Sequence, residues 1–467
     1  MVTKNENGNG LYFQYIANKA IVIMTKFWTK HENCFAISGS TKAGFTGETQ
    51  PSLIIPSVVG QPRKRYEHLV GGKILHVGPD ALAGMSQLSL TYPIDHGHID
   101  DWLEIEELWK YTFTALGVNP SQHPILLTEP PLCSSRHREK MAEIIFEVFN
   151  SPELNISVTG LMAIHATGQL TGCILDIGEG VTQCTPVIEG FLGKESVQRS
   201  DFGGQELNLF LNQTLCEMGY TLTTRDEYEY VREIKEKLCF CSRDPATDAL
   251  RNDLTVTYTL PDGNVLKDGS TMEIVMGPEC LYPAEALFNP QLCSRDNAPL
   301  TDIIWNSLMV ASVNMLLFQS RQCALFSAFR NQIELFLIVD SLLQRIMYLV
   351  SKMCQACPLE SRRSLLGSVY VCGGSTMFEG FRDRLEDELR NTAPSQARHN
   401  VQVISRDDRK HLGWIGASIF CNPSTRESLD YCWTSREEWN EIGARIIHAK
   451  SCPNIVFNRV FLCNLKP

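Results

Sequence analysis

A mixed α/β chain of two similar lobes closing over a cleft is the architecture this sequence predicts, and three glycine-bearing elements carry the prediction. The first is Gly172–Thr182, where an apolar strand end is followed by the acid Asp176 and then by Gly178, Glu179 and Gly180. Glycine lets a backbone turn sharply and approach a ligand closely, and successive turn N–H groups form an anion nest. Val181–Ile188 resumes as a strand, so the acid and glycines sit in a β-hairpin, unlike the phosphate loop that opens a helix. A carboxylate beside a phosphate cradle repels the phosphate unless a divalent cation lies between them. The second element, Ser38–Glu48, is a phosphate-loop candidate carrying Lys42. The third, Ser368–Thr376, repeats strand then glycine pair, with a helix expected over Phe378–Leu389. Singly, each reads as an ordinary turn. In separate parts of one chain they describe a shared cleft.

The elements follow in order. Residues 1–18 are expected to be loosely attached, and Lys19–Ile23 is a short β run interrupted by the basic and aromatic segment Met24–Ile37. Pro56–Arg63 is extended, and an exposed loop at His68–Gly72 precedes a strand at Lys73–Val77. Ile99–Leu116 has helical spacing, Pro124–Glu129 is a buried strand, and Arg136–Asn150 is an amphipathic helix facing inward through Met141, Ile144, Ile145, Val148 and Phe149. Val158–Gly168 is a helix leading into the first glycine hairpin. Gly203–Glu206 starts a helix over Leu207–Met218, Asp226–Leu238 is a charged helix, and Leu260–Asn264 is a hairpin turn. Met309–Val350 is apolar and helical, but Arg321, Arg330, Glu334, Asp340 and Arg345 interrupt it too often for a span of about 20 apolar residues. Trp433–His448 reads as one C-terminal amphipathic helix, followed by an apolar-basic tail over Cys452–Pro467.

Composition narrows the class. A chain of 467 residues is too long for one simple core, so a bilobal body is expected. The net charge of −11 argues against a general nucleic-acid binder, whose signature is a basic patch. The 17 cysteines are scattered and the polar Met1–Gly10 lacks the apolar core of a signal peptide, so reduced thiols and an intracellular protein are expected. Cys354 and Cys357 are the nearest approach to a metal pair, and no second pair accompanies them.

These features, in order, resemble actin and the actin-related proteins. The likeness runs from about residue 42 to 309 and resumes from about 368 to 450. Its most specific pieces are Lys42–Phe45, Pro56–Gly60, Tyr92–Gly97, Leu126–Glu129, Arg138–Met141, Ile234–Cys239, Glu285–Phe288, Gly373–Met377 and Trp414–Gly416. His137 stands where the family commonly has asparagine before Arg138. The resemblance implies a bilobal actin-like ATPase fold, with duplicated ribonuclease-H-like domains around the cleft. It also implies ATP or ADP with Mg2+. Ser38, Gly39, Ser40 and Lys42 would hold the phosphates from one lobe; Asp176, Gly178, Glu179 and Gly180 would face them from the other, with Asp176 near the metal through water. Gly204, Arg232, Lys235, Glu236, Gly374, Ser375, Met377, Phe378 and Lys410 would surround the adenosine. Without the family pattern, Lys235 and Glu236 read as a solvated helix face.

The chain departs from the family where hydrolysis is organised. The acid at the tip of the first strand has no match, because the run ends Val22-Ile23 and Met24 follows. The glutamine that orients the attacking water falls at Thr159, the histidine beside it at Gln183, and the second-hairpin aspartate at Glu179. Positioning carries most of phosphoryl-transfer catalysis, so nucleotide binding with slow or absent hydrolysis is expected. The expected division is a first lobe over 1–166 with an outer subdomain at 57–93, and a second lobe over 167–409 with an outer subdomain at 203–291. An atypical insertion at 309–350 and a return of 410–467 onto the first lobe complete it.

A cytoskeletal or complex-embedded structural subunit is therefore expected, placed in the cytoplasm with the nucleus as alternative. Its partners would be actin-family subunits or actin-binding proteins, in a dynactin-type or chromatin-complex assembly, with no direct nucleic-acid contact and no membrane span. A conventional filament former with slow ATPase is the alternative. The His68–Gly72 loop suits insertion into a neighbour, whereas Arg295 and Asp296 alter the expected contact at Gln291–Leu300. A sugar kinase or chaperone-type ATPase of the same superfamily is the second alternative; neither a catalytic aspartate for a sugar nor a long C-terminal substrate region is visible.

Overall fold

The computed structural model describes residues 20–25, 39–64, 75–84, 87–95, 98–190, 192–220, 222, 225–251, 253–259, 273–311, 364–422 and 429–450. Two sheets organise them. The first runs in the order 434–435, 153–158, 125–129, 21–25, 40–45, 53–56; the second runs 198–200, 182–187, 172–177, 369–372, 403–404. In each, three antiparallel strands from one meander precede two parallel additions, and the first sheet carries a sixth strand, 434–435, antiparallel to 153–158. Ile21–Thr25 pairs antiparallel with Ser40–Phe45 and parallel with Ile125–Glu129, which is parallel to Glu153–Val158. Gly172–Ile177 pairs antiparallel with Thr182–Val187 and parallel with Val369–Cys372, which is parallel to Val403–Ile404. The shared strand order is a duplicated α/β arrangement.

The central strands of both sheets are buried on both faces, which is why Ile21–Ile23, Ile125–Leu127, Cys173–Leu175 and Val369–Cys372 are continuously apolar. Side chains alternate across a strand, so Ile21 and Ile23 face one core while Val22 faces another. Likewise Cys173, Leu175 and Ile177 face the outer core of the second sheet, and Ile174 faces inward. Between the sheets lie the helices Thr159–His165 and Leu412–Phe420. Their core joins Val22 and Leu126 of one sheet to Ile174, Val187, Tyr370 and Cys372 of the other through Leu161–Ile164 and Trp414. The two lobes are therefore held together at their base by one apolar layer.

Several expected elements fall elsewhere. The first strand extends past Ile23 to Thr25 because pairing continues through Met24 opposite Lys42 and Thr25 opposite Thr41. The expected phosphate loop at 38–48 is itself a strand from Ser40 to Phe45, where Thr41 and Ser57 satisfy each other's hydroxyls at 2.8 Å. The Arg136–Asn150 helix becomes a π-helix over Ile144–Val148. The wider turn rotates the buried stripe, leaving Val148 47% exposed and turning Phe146 into the core. The helix expected from Phe378 begins at Phe381, after Gly380. Val158 belongs to a strand and its helix spans Thr159–His165. Trp433–His448 is not one helix: a two-residue strand, Thr434–Ser435, is followed by helices Arg436–Ile442 and Arg445–Lys450, broken at Gly443. Of the 73–77 strand, the described part is His76–Val77.

Residues 1–18, Ser38, the 68–72 loop, the 260–264 turn, 312–350, Cys354, Cys357 and the 452–467 tail lie outside the described residues. The cysteines among the described residues form no disulfide. Among the described residues no helix is long and apolar enough to cross a membrane.

Candidate functional site

A cleft opens between the lobes, lined by Pro130 and Thr159 from one and by Asp176, Gly178, Glu179, Gly180, Val181 and Gln183 from the other. The hairpin of the second sheet builds one wall. Its last register pairs are Asp176 opposite Gln183 and Ile177 opposite Thr182, and Gly178 N donates to the Val181 carbonyl at 2.9 Å to close the turn. That geometry puts Asp176, Gln183 and the glycine turn at one sheet edge, facing the cleft.

The opposite wall is set by a buried ion pair. Glu129, 1% exposed at the end of its strand, is gripped through both oxygens by Arg138, with Nε at 3.1 Å from Oε2. Thr159 Oγ1 donates to the Glu129 carbonyl at 3.1 Å. Thr159 is thus tied back to the same strand end from which Pro130 projects. Pro130 was not foreseen as a wall residue; an acid-proline step ending a fully buried strand is the signal that marks it.

A second cluster adjoins the hairpin. Gly204 N donates to the Gly178 carbonyl at 3.1 Å, Gln205 N to the Glu179 carbonyl at 2.8 Å, and Ser375 Oγ to the Gly178 carbonyl at 2.8 Å. Lys235 Nζ, almost fully buried, donates to the Gly204 carbonyl at 2.9 Å, and Asn208 Nδ2 to Glu179 Oε1 at 3.2 Å. A β-carbon on Gly204 would stand 2.6 Å from Glu179 Oε2 and 2.8 Å from Ser375 Oγ, so glycine here lets those two side chains close onto the start of the helix. Gly373 has φ +98°, and a β-carbon there would lie 2.6 Å from Asp176 Oδ1. A side chain at either position would occupy the space beside the hairpin. Asn208 was missed in the sequence, where it reads only as a polar turn of a helix.

Lys42 enters from the first lobe. It is 3% exposed, and its Nζ donates to the Lys410 carbonyl at 2.7 Å. The neighbouring Arg409 carbonyl accepts from Gly373 N at 3.2 Å, and the Arg409 guanidinium donates to the Thr376 carbonyl. The expected phosphate lysine and the expected adenosine lysine are therefore brought against each other beside the glycine pair. Gly39 and Ser40 precede Lys42 on the same segment; Ser38 is outside the described residues.

The remaining expected positions scatter. Arg232 and Glu236 approach to 3.6 Å along one helix face, Gly374 has open space beside it, and Met377 is 41% exposed. Phe378 packs into the core of the second lobe instead of facing the cleft.

Charge in the cleft is negative at its edge. Asp176 and Glu179 line it, and the lining residues include no cation. Behind it, burial pushes the Glu206 carboxyl up to about 7, with Glu179 nearby adding to the shift, although Gly203 N donates to it at 2.9 Å. Among the described residues no group of three or more His, Cys, Asp and Glu could hold a metal by itself. A hard cation with a few carboxylates and many waters fits such a wall, as Mg2+ does when it is shared with phosphates. The backbone turn at Gly178–Gly180 fits a bound anion; the acids fit its counter-cation.

A family model described as Actin matches residues 38–452 of the 467.

Proposed function

The chain belongs to the actin family, and from that premise we propose that it binds ATP or ADP with Mg2+ in this cleft and serves as a structural subunit that hydrolyses slowly or not at all. What carries the reading is the cleft itself, bounded by Pro130 and Thr159 on one lobe and by Asp176–Gln183 on the other. In this reading the Gly178–Gly180 turn receives phosphate oxygens, Asp176 orients metal-bound water, and Lys42 neutralises charge from the first lobe. Gly204, Lys235 and Ser375 bound the nucleoside side. Bound Mg2+ supplies charge neutralisation between the phosphates and the acids.

The slow-hydrolysis part rests on the residues present. Thr159 spends its hydroxyl on the Glu129 carbonyl, and threonine is too short to reach as an amide does. The strand at 21–25 carries no acid at all. Loss of one positioned group costs about 3 kcal/mol of barrier where it has been measured in other enzymes. Its partners would be actin-family subunits or actin-binding proteins. Titration calorimetry with ATP, with and without Mg2+, tests the binding: heat that appears only with the metal is expected, and no heat in either condition overturns the reading. Phosphate release at the rate of an ordinary actin would overturn the hydrolysis part alone.

A further inference from the structure

One side chain in the cleft has nothing to bond. Gln183, on the strand Thr182–Val187, lines the cleft and is only 7% exposed, and its carboxamide has no hydrogen-bond partner among the described residues. A buried polar group left unpaired costs free energy, and most such groups in native proteins are paired. The surroundings of Gln183 define the missing partner. In the strand register Asp176 lies opposite it on one side and Arg199 on the other. Residues directly opposite share a face, so acid, amide and guanidinium stand in one row across three strands. Two positions along the same face, Thr185 packs on Gly160, where a β-carbon would meet the threonine side chain at 2.8 Å. Gln183 therefore looks across at Thr159. The neighbouring side-chain donors are committed: the Thr159 hydroxyl donates to the Glu129 carbonyl at 3.1 Å, and Arg199 Nε to Asp201 Oδ1 at 2.9 Å.

We propose that Gln183 binds the terminal phosphate of the nucleotide through its amide N–H groups, and so makes the cleft hold a triphosphate more tightly than a diphosphate. This role rests on the nucleotide reading and extends it to the far end of the phosphate chain. Strand order sets the direction. Ser375, on the nucleoside side, follows the strand Val369–Cys372 at one flank of Gly172–Ile177, and Gln183 lies on the strand at the other flank. A phosphate chain that starts beside Ser375 and crosses the Gly178–Gly180 turn ends toward Gln183. The chemistry suits that end. Asp176 and Glu179 repel phosphate oxygens unless a cation lies between them, whereas a carboxamide offers two N–H donors and carries no charge. Hydrogen bonds to an ionised acceptor are roughly twice as strong as neutral ones, so a phosphate oxygen satisfies this donor better than water does. A diphosphate on the same turn is one group too short, and it leaves the amide as unpaired as it is without ligand.

The test measures ATP and ADP affinity, each with Mg2+, by titration calorimetry on the full chain and on its Gln183→Leu and Gln183→Glu variants, with thermal melts to establish that each variant folds. Wild type should hold ATP about tenfold or more tighter than ADP. Gln183→Leu keeps the bulk and removes both donors, and should lower the ratio of ATP to ADP affinity about tenfold or more. Gln183→Glu keeps the shape and sets a carboxylate against the phosphate, and should lower that ratio at least as far. A ratio unchanged in the folded variants overturns the role of Gln183 alone, as does a wild type that binds ADP as tightly as ATP. Should Gln183→Leu fail to fold, Gln183→Glu and the wild-type ratio carry the test. A wild type that binds neither nucleotide overturns this role together with the nucleotide reading.

Discussion

The ammonium of Lys42 donates to the backbone carbonyl of Lys410 at 2.7 Å, across 368 positions of sequence. One residue away, the Arg409 carbonyl accepts from Gly373 N, whose own space borders Asp176. A strand of the first sheet is thereby fastened to the glycine pair of the second. Replacing Lys42 with Met keeps the stem and removes the charge. Hydrogen bonds to charged groups contribute about 1.5–3 kcal/mol, so denaturant unfolding should show a loss of that size. ATP affinity should fall as well, in calorimetry on the folded variant. A Lys42→Met protein with wild-type stability would show that the contact is incidental.

Gly204 gives a test of the niche beside Glu179. A β-carbon there meets the ends of two side chains, Glu179 and Ser375, which can shift, so Gly204→Ala should fold. Overpacking costs about 1–3 kcal/mol, and here it displaces Glu179 and Ser375, which stand beside the hairpin. Nucleotide affinity should drop roughly tenfold or more while the thermal midpoint stays within a few degrees. Unchanged affinity would place the nucleoside elsewhere.

The wall formed by Pro130 and Thr159 depends on the buried Glu129–Arg138 pair. Removing one member of a buried pair leaves an unpaired charge and costs about 3–5 kcal/mol. Arg138→Met should therefore lose most of the stability measured by denaturant midpoint. Glu129→Gln combined with Arg138→Met should regain a large part of it, since no charge then remains buried. Equal stability of the single and double variants would contradict the pairing as the cause.

Glu206 makes stability depend on pH in an unusual direction. Its carboxyl is raised by burial to about 7 in the folded chain from 4.5, so the folded state holds the proton more tightly than the unfolded state. The destabilisation is absent below about 4.5 and grows as pH rises from there to about 7, reaching about 3 kcal/mol. Glu206→Gln keeps an acceptor for Gly203 N and cannot ionise. The variant should match wild type at pH 5 and exceed it in thermal midpoint at pH 8. A constant difference across that range would mean that Glu206 titrates normally.

How far the site was legible depends on which residues form it. The hairpin at Asp176–Gly180 was visible because an apolar strand end, an acid and two glycines lie within eleven positions. Pro130 and Asn208 were not, because each joins the cleft only after a strand or helix has been carried to it from elsewhere in the chain. Met24 and Thr25 were missed as strand residues because neither is strongly apolar; their pairing with Lys42 and Thr41 comes from the neighbouring strand. Phe378 was misplaced for the converse reason, since an aromatic beside a glycine pair suits a ligand wall and a core equally well. The tail helix was drawn as continuous because its apolar period survives the break at Gly443.

By its sequence alone, this protein was committed to apolar strands, to glycine turns beside them and to an acid at the Gly172–Thr182 hairpin. Those are local matters, decided by backbone freedom and side-chain period within a few residues. Tertiary structure decided which of those turns share a cleft, that Lys42 reaches Lys410, and that Tyr228 is buried by Leu82 from the other lobe. Such contacts join positions tens to hundreds of residues apart. They exist only because two similar sheets pack their inner faces on the same pair of helices, a condition no local stretch records.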